Sequence, residues 1–293
     1  MYKKEFIRSN FVKEFIIWVE KRMDTPNSFS HGFEMKKARI FWEADSIYNA
    51  FENYQWPFRF IDPITKELTT GNTFEDCHKA LTKLSKGLKS SILDGDDESC
   101  ISYCISILEW GGVRNKNDLR IYDIGNEVCK YFQRVKERFS EDISSNDYYY
   151  NGLIMNSGFT KLYSFYMEDF IIYDGRLGAA LGHLVKLYCQ DKKIESVPEE
   201  LLFAWGRGQE SKYVSSQLNK RNPSVGSLSF PELLNNPRRH TESSIRANWL
   251  ISMILKNTDS KFNKLDKQVQ MRALEAALFM IGYKVKGVAD NLE

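Results

Sequence analysis

The segment that most constrains the fold is the helix expected after Asp174, because its side chains are almost all apolar or very small. The larger apolar residues recur at helical spacing along one stripe, which comprises Leu177, Leu181, Leu184, Val185 and Tyr188. Between them lie small residues that permit close packing, namely Gly178, Ala179, Ala180 and Gly182. Such a helix belongs in a core, and a chain of 293 residues, 42% of them hydrophobic, is long enough for one large domain or two smaller lobes.

Helical periodicity recurs through most of the chain, so the expected fold class is mainly α. The other helices predicted by this spacing cover residues 4–23, 37–54, 73 to about 93, 96–110, 122–139, 240–256 and 266–283. Thr73 is a suitable N-cap, with Asp76 three residues later as in a capping box. Residues 56–63 are expected to form a loop or a short hairpin, and residues 206–237 a long irregular segment.

The cysteines and the charges disfavour several classes of protein. The five cysteines are an odd set without CxxC spacing, which argues against a disulfide framework and against a zinc or iron–sulfur site, so no metal or cofactor is expected. Charges at Lys4 and Arg8 interrupt any signal peptide, and no apolar run approaches the length of a membrane span. We therefore expect a soluble, cytoplasmic protein with no membrane partner.

Asp174 follows the apolar run 170–173 and precedes the small-residue helix, a position that fits two roles. Aspartate is favoured as an N-cap because its carboxylate accepts backbone N–H groups. A capping carboxylate is also held rigidly and kept ionised by the helix N-terminus. That suits a group that stabilises a positively charged sugar or activates a water molecule. The two roles are compatible, and the residues alone leave both open.

Lys161 lies one helix earlier, close to the start of a short aromatic helix. A lysine near the start of an amphipathic helix is usually a solvated charge. Its alternative role is nucleophilic, and that role requires a pocket of low dielectric in which the amine can attack a sugar carbon.

These two residues and their surroundings resemble the helix-hairpin-helix DNA glycosylases, and within them the 8-oxoguanine glycosylase fold group. The resemblance is carried by Ser157-Gly158-Phe159-Thr160-Lys161 and by Ile172-Tyr173-Asp174-Gly175-Arg176. The segments Trp110-Gly111-Gly112-Val113 and Arg246-Ala247-Asn248-Trp249 are also similar to bacterial members. The specific match covers only these stretches, and the helical layout extends it loosely over residues 73–285.

The resemblance implies an enzyme that flips a modified or damaged base out of double-stranded DNA and hydrolyses its N-glycosidic bond, leaving an abasic site. Asp174 matches the catalytic aspartate of that family. Lys161 matches the lysine that forms a Schiff base in bifunctional members and adds strand cleavage.

The family also has a hairpin whose backbone N–H groups grip a DNA phosphate. The matching DNA-binding residues here are Asn156, Ser157, Gly158 and Thr160. Two features depart from the family pattern. Phe159 stands where the second hairpin glycine belongs, and the interval between Lys161 and Asp174 is shorter than usual.

Base flipping and DNA binding require two further sets of residues. Candidates for the base pocket, with core packing as the alternative for each aromatic ring, are Trp110, Phe159, Trp205, Arg246 and Trp249. Candidates for contacts with DNA phosphates, with an ordinary solvated charge as the alternative, are Arg176, Lys220, Arg221, Arg238 and Arg239.

The leading hypothesis is therefore a monomeric DNA glycosylase, with residues 1–72 as an N-terminal helical extension and residues 73–293 as the glycosylase-like core. A narrower hypothesis is defence against phage, by removal of glucosylated hydroxymethylcytosine from phage DNA. One alternative is a non-catalytic helical protein that retains the fold and binds DNA or a partner, which Phe159 in the hairpin favours. Another is a helical scaffold on which the basic pairs are ordinary surface.

Overall fold

The computed structural model describes residues 1–35, 40–114, 116–208 and 214–286. Within them it contains eleven α-helices and four short strands, so the prediction of a mainly α protein is confirmed. The chain divides into two compact units. The terminal unit comprises Met1–Tyr54, Ser144–Asn146 and Tyr173–Glu293, and the middle unit comprises Gln55–Ile143 and Asp147–Ile172. Residues 1–54 thus share a unit with the C-terminal helices, and the expected boundary at residue 72 stays a prediction.

The terminal unit begins with two helices where one was expected over residues 4–23. These are α1 (Lys3–Arg8) and α2 (Asn10–Glu20). They are separated by Ser9, whose backbone leaves the helical region and whose side chain accepts a hydrogen bond from the Val12 backbone N–H. The break arises because a serine can cap a new helix more favourably than it can continue an old one.

The helix predicted over residues 37–54 is wrong. Residues 37–39 lie outside the described residues, and the remainder forms β2 (Ile40–Ala44) and the short α3 (Ile47–Glu52). β2 pairs antiparallel with β1 (His31–Met35), and Trp42 stacks on Phe33 with ring centroids 4.8 Å apart. Bulky aromatic and β-branched residues favour a pleated surface, and this cross-strand pair secures the strand.

The remainder of the terminal unit is built on three long helices, α9 (Gly175–Lys192), α10 (Pro237–Asn257) and α11 (Lys267–Ile281). Short 3-10 turns occur at Glu199–Leu201 and Lys261–Lys264. Fourteen of the eighteen α9 residues are buried, so the small-residue helix is enclosed as its composition predicts. Asn236 caps α10, with Pro237 in the first turn.

The middle unit contains α4 (Phe74–Asp94), α5 (Asp97–Trp110), α6 (Asn117–Ile124), α7 (Val128–Phe139) and α8 (Phe159–Tyr166). The predicted capping box at the start of α4 is confirmed by hydrogen bonds between Thr73 and Asp76. The short hairpin considered at residues 56–63 is present and extends beyond them, as β3 (Phe58–Ile61) paired with β4 (Leu68–Gly71).

The single helix expected over residues 122–139 is divided into α6, a 3-10 turn at Gly125–Glu127, and α7. The cause is Gly125, whose φ of 59° lies in a region that glycine adopts without steric strain and that ends α6.

All five cysteines are buried free thiols. In the part of the chain that the structure describes, no three histidine, cysteine or acidic side chains are placed to hold a metal ion. No helix in those same ranges is both long and apolar enough to cross a membrane.

Candidate functional site

Asp174 is the N-cap of α9, as its position in the sequence predicts. One carboxylate oxygen, Oδ1, accepts hydrogen bonds from the backbone N–H groups of Arg176 at 2.8 Å and Leu177 at 3.1 Å. The side chain is neither fully buried nor fully exposed. These charge-assisted bonds fix the orientation of the carboxylate.

The first turn of α9 is held by close backbone contacts, which only residues without a Cβ permit. Gly175 lies against Gly206 so closely that an added Cβ would stand 2.8 Å from the Gly206 Cα, and the Gly206 N–H donates to the Gly175 carbonyl at 3.3 Å. Gly178 lies against the Ala204 carbonyl, and Gly282 at the end of α11 lies against the Arg176 carbonyl. The position of Asp174 is therefore fixed by contacts between main-chain atoms.

Tyr173, immediately before the aspartate, makes two hydrogen bonds that hold this part of the chain. Its hydroxyl donates to the Ala204 carbonyl at 2.6 Å, and its own carbonyl lies 2.8 Å from Nε2 of His240 on α10. The phenol is fully buried, and burial raises the pKa of Tyr173. The hydroxyl therefore serves as a hydrogen-bond donor here.

Three cations gather beside this turn. Arg176 is only 9% exposed, and its guanidinium lies over the rings of Phe279 at 4.1 Å and Tyr283 at 4.9 Å. The ammonium of Lys220 lies over the same Tyr283 ring at 4.2 Å. The pKa of Arg176 is lowered to about 10, mainly by burial and also by the positive charge of Arg221, whereas Asp174 opposes the shift. The structure thus brings together Asp174 and the predicted cations Arg176, Lys220 and Arg221.

The other two predicted cations lie in the first turn of α10 and make contacts with main chain. The exposed Arg238 donates to the Asn146 carbonyl at 3.3 Å, and Arg239 donates to the Glu232 carbonyl at 2.5 Å. These contacts position the two side chains, and their proposed DNA contacts stay predictions.

In the middle unit, Lys161 is buried, with 5% of its surface exposed. Its ammonium donates to the Ser157 carbonyl at 3.2 Å. The aliphatic part of the side chain fills the space that a Cβ on Gly111 would occupy. The expectation of an ordinary solvated lysine is therefore wrong, because the side chain is enclosed between α8 and the end of α5.

The turn before α8 is closed by Asn156. The Asn156 Oδ1 atom accepts the backbone N–H groups of Gly158 at 2.8 Å and Phe159 at 3.1 Å, and the Asn156 carbonyl accepts that of Thr160 at 3.0 Å. The Asn156 side chain also donates to Asn117 at 3.0 Å. The N–H groups of Gly158, Phe159 and Thr160 are thus already hydrogen-bonded within the chain.

The predicted base-pocket residues fall into two separate groups. Trp110 and Phe159 belong to the middle unit, where Phe159 is fully buried against Tyr131 and Tyr163. Trp205 belongs to the terminal unit, is fully buried, and donates its indole N–H to the Phe230 carbonyl at 3.2 Å. Stacking of Phe159 or Trp205 on a base stays a prediction, and it requires these rings to leave their present contacts.

Arg246 and Trp249 lie on α10 in the terminal unit. Arg246 donates to the Glu199 carbonyl at 2.6 Å and to the Leu202 carbonyl at 3.2 Å, so its guanidinium ties α10 to the nearby 3-10 turn. Trp249 packs on Phe6 with ring centroids 5.7 Å apart. Both residues therefore have a structural role in this conformation.

Sequence reasoning missed three contributors to these sites, namely Tyr283, Gly206 and Asn117. The irregular glycine-rich segment that contains Gly206 was a usable signal for a functional loop. Tyr283 and Asn117 carry no local signal, because their contributions depend on partners far away in the chain.

No family model, no curated protein and no solved structure matches this chain.

Proposed function

We propose that the protein is a DNA glycosylase. The observation that carries the proposal is the rigidly capped Asp174 carboxylate, which has the cations Arg176, Lys220 and Arg221 beside it. A fixed carboxylate is suited to stabilise the oxocarbenium-like sugar that forms when an N-glycosidic bond breaks. Of the neighbouring cations, the half-buried Lys220 and Arg221 are suited to the phosphates that flank a flipped nucleotide. A phosphate contact by Arg176 requires its guanidinium to leave the rings of Phe279 and Tyr283.

In the proposed reaction, water attacks the sugar C1′ atom and the C1′–N bond breaks. The base leaves with the bonding electron pair, and the proton lost by the water passes to Asp174 or to solvent. The carboxylate faces the developing positive charge on the sugar and orients the water. The hydrogen bonds from the α9 backbone keep that geometry fixed, so little reorganisation accompanies the step.

Lys161 is the proposed second nucleophile, for a bifunctional enzyme. Its enclosed position supports this role because an amine with little access to water is a better nucleophile. To attack C1′, the amine has to be neutral and has to leave the Ser157 carbonyl. A Schiff base with the opened sugar would then form and permit strand cleavage.

The proposed substrate is double-stranded DNA with a modified or damaged base, and the narrower proposal is glucosylated hydroxymethylcytosine in phage DNA. The test is incubation with glucosylated phage DNA, unmodified DNA and a duplex that contains 8-oxoguanine, followed by detection of abasic sites. Abasic sites in glucosylated DNA alone are the expected result. Release from the 8-oxoguanine duplex alone would eliminate the phage-defence version.

The catalytic assignment is tested with Asp174→Asn, which replaces the charge with an amide that still caps a helix well. Base release should fall by at least about a hundredfold, the scale for loss of one electrostatic stabiliser of a transition state, while DNA binding is retained. Asp96→Asn is the matched control, because Asp96 caps α5 in the same way through the Ser99 N–H. Full activity of Asp174→Asn on a true substrate would refute the assignment.

A second candidate is a non-catalytic protein that binds DNA or a partner. The observation that favours it is the turn before α8, where the Asn156 side chain accepts hydrogen bonds from the N–H groups of Gly158 and Phe159. This candidate predicts a shift of DNA in a mobility assay and no abasic product on any of the three substrates.

A further inference from the structure

Trp110 is the last residue of α5, in the middle unit. Its ring meets Phe165 nearly edge to face, with centroids 5.5 Å apart and an angle of 61° between the planes. Only 7% of the residue is exposed. The indole is therefore fixed at the junction between α5 and α8.

The indole N–H of Trp110 is buried, and no acceptor lies within hydrogen-bond distance among the residues that the structure describes. Three other tryptophans do donate their indole N–H. Trp18 donates to Asp191 at 2.7 Å, Trp42 to the Asn53 carbonyl at 2.8 Å, and Trp205 to the Phe230 carbonyl at 3.2 Å. A buried donor without an acceptor is unfavourable and needs a specific explanation.

The neighbours of Trp110 indicate what could supply the acceptor. Phe165 and Lys161 are four residues apart on α8 and so lie on the same face of that helix. Trp110 packs on Phe165, and the next residue, Gly111, packs on the Lys161 side chain. The indole of Trp110 and the amine of Lys161 therefore lie along one face of α8.

We propose that the Trp110 N–H donates a hydrogen bond to a nucleobase extruded from DNA, at a carbonyl oxygen or an unprotonated ring nitrogen. This inference rests on the proposed function, in which Lys161 acts on the sugar carbon that bears the base. A neutral, buried donor beside the Phe165 ring matches a neutral planar acceptor, whereas a phosphate would lose too much hydration there. Trp110 is then a specificity-determining residue that selects bases by their acceptor pattern.

The direct test follows the indole N–H resonances of the ¹⁵N-labelled protein in the Asp174→Asn background, where bound DNA is not consumed. Trp110→Phe identifies the Trp110 resonance. Four duplexes are added in turn, with glucosylated hydroxymethylcytosine, 8-oxoguanine, cytosine or a tetrahydrofuran abasic analogue at one position. The Trp110 resonance should move downfield with at least one base-containing duplex and not with the abasic analogue. A resonance that stays in place with all of the base-containing duplexes, or moves equally with the abasic analogue, overturns the inference.

Base release by the wild-type protein is measured separately on the same duplexes. Release of a base with an unmoved Trp110 resonance refutes this inference and leaves the glycosylase function intact. A moved resonance without release of any base refutes the glycosylase function and leaves Trp110 as a base-binding residue.

Trp110→Phe also has a predicted kinetic and thermal profile. It should raise KM or lower kcat/KM by about tenfold, the effect of one lost hydrogen bond. Its Tm should fall by less than the Tm of Trp18→Phe, because both substitutions shrink a buried ring but only Trp18→Phe also breaks a hydrogen bond. Trp18→Phe is the matched control, and it should lower Tm without a change in KM, because its N–H already donates to Asp191. Unchanged kinetics for Trp110→Phe, with a loss of Tm as large as that of Trp18→Phe, would overturn the inference.

Discussion

The terminal unit should lose stability in mild acid because of two neighbouring histidines, the half-buried His31 and the buried His183. Their rings lie 5.0 Å apart, and Nε2 of His31 is 3.0 Å from the Ile281 carbonyl. The pKa of His31 is lowered to about 4, mainly by burial. The positive charges of Lys186 and Lys284 also lower this pKa, whereas hydrogen bonds with the backbone of Ile281 and Lys284 raise it. Burial also lowers the pKa of His183 well below its usual value, together with the charges of His31 and Lys186.

The magnitude follows from linkage between protonation and folding. An unfolded histidine has a pKa of about 6.5, so between that value and about 4 the unfolded chain binds a proton at position 31 and the folded chain does not. The stabilisation is present above pH 6.5 and is lost as the pH falls toward 4. Between pH 7 and pH 5, His31 alone accounts for a loss of about 2 kcal/mol, and His183 acts in the same direction.

The assay is urea unfolding followed by circular dichroism at pH 7 and pH 5, for the wild type and for His31→Gln. Glutamine is neutral at both pH values and can still donate to the Ile281 carbonyl. Between pH 7 and pH 5, His31→Gln should therefore lose about 2 kcal/mol less unfolding free energy than the wild type. His78→Gln, at a partly exposed site on α4, is the control. An equal loss for the wild type and His31→Gln would refute the reasoning.

Two further substitutions test the packing around the candidate sites. Gly282→Ala should destabilise the terminal unit by about 1–3 kcal/mol, because the added Cβ would collide with the Arg176 carbonyl; an unchanged Tm in thermal unfolding would contradict that close contact. Asn156→Ala should cost about 1 kcal/mol of stability, because α8 loses the acceptor of the Gly158 and Phe159 N–H groups. The same variant should bind duplex DNA more tightly in a mobility assay if those groups contact phosphate, and an unchanged affinity would exclude such a contact.

Local signals were sufficient for most of the helical layout. The Thr73–Asp76 capping box and the Asp174 cap were predictable because each is a contact between residues close in sequence. The segment 37–54 was mispredicted because its apolar residues fit helical spacing as well as a strand. The deciding interaction is the stack of Trp42 on Phe33, a residue outside that segment.

The candidate site was predictable only in part, for a related reason. Asp174 and Arg176 are only two residues apart in the sequence, so their association follows from the helix start alone. The roles of Gly206 and Tyr283 depend on close approach between segments that are far apart in the chain. Burial of Lys161 against Gly111 likewise depends on how α5 meets α8, which the sequence around the lysine does not encode.

The close backbone contacts that hold the first turn of α9, made by Gly175, Gly178 and Gly282, have a consequence for the order of folding during synthesis on the ribosome. Asp174 and its helix emerge from the ribosome well before Gly282, which makes the last of these contacts, against the Arg176 carbonyl. Residues 1–54 likewise cannot complete their packing until the C-terminal helices of the same unit have been synthesised. Every residue of the middle unit, in contrast, has been synthesised before α9. The middle unit can therefore fold while translation continues, and the carboxylate site is completed last. A nascent chain stalled before α11 would hold Asp174 on a helix start that lacks the Gly282 contact.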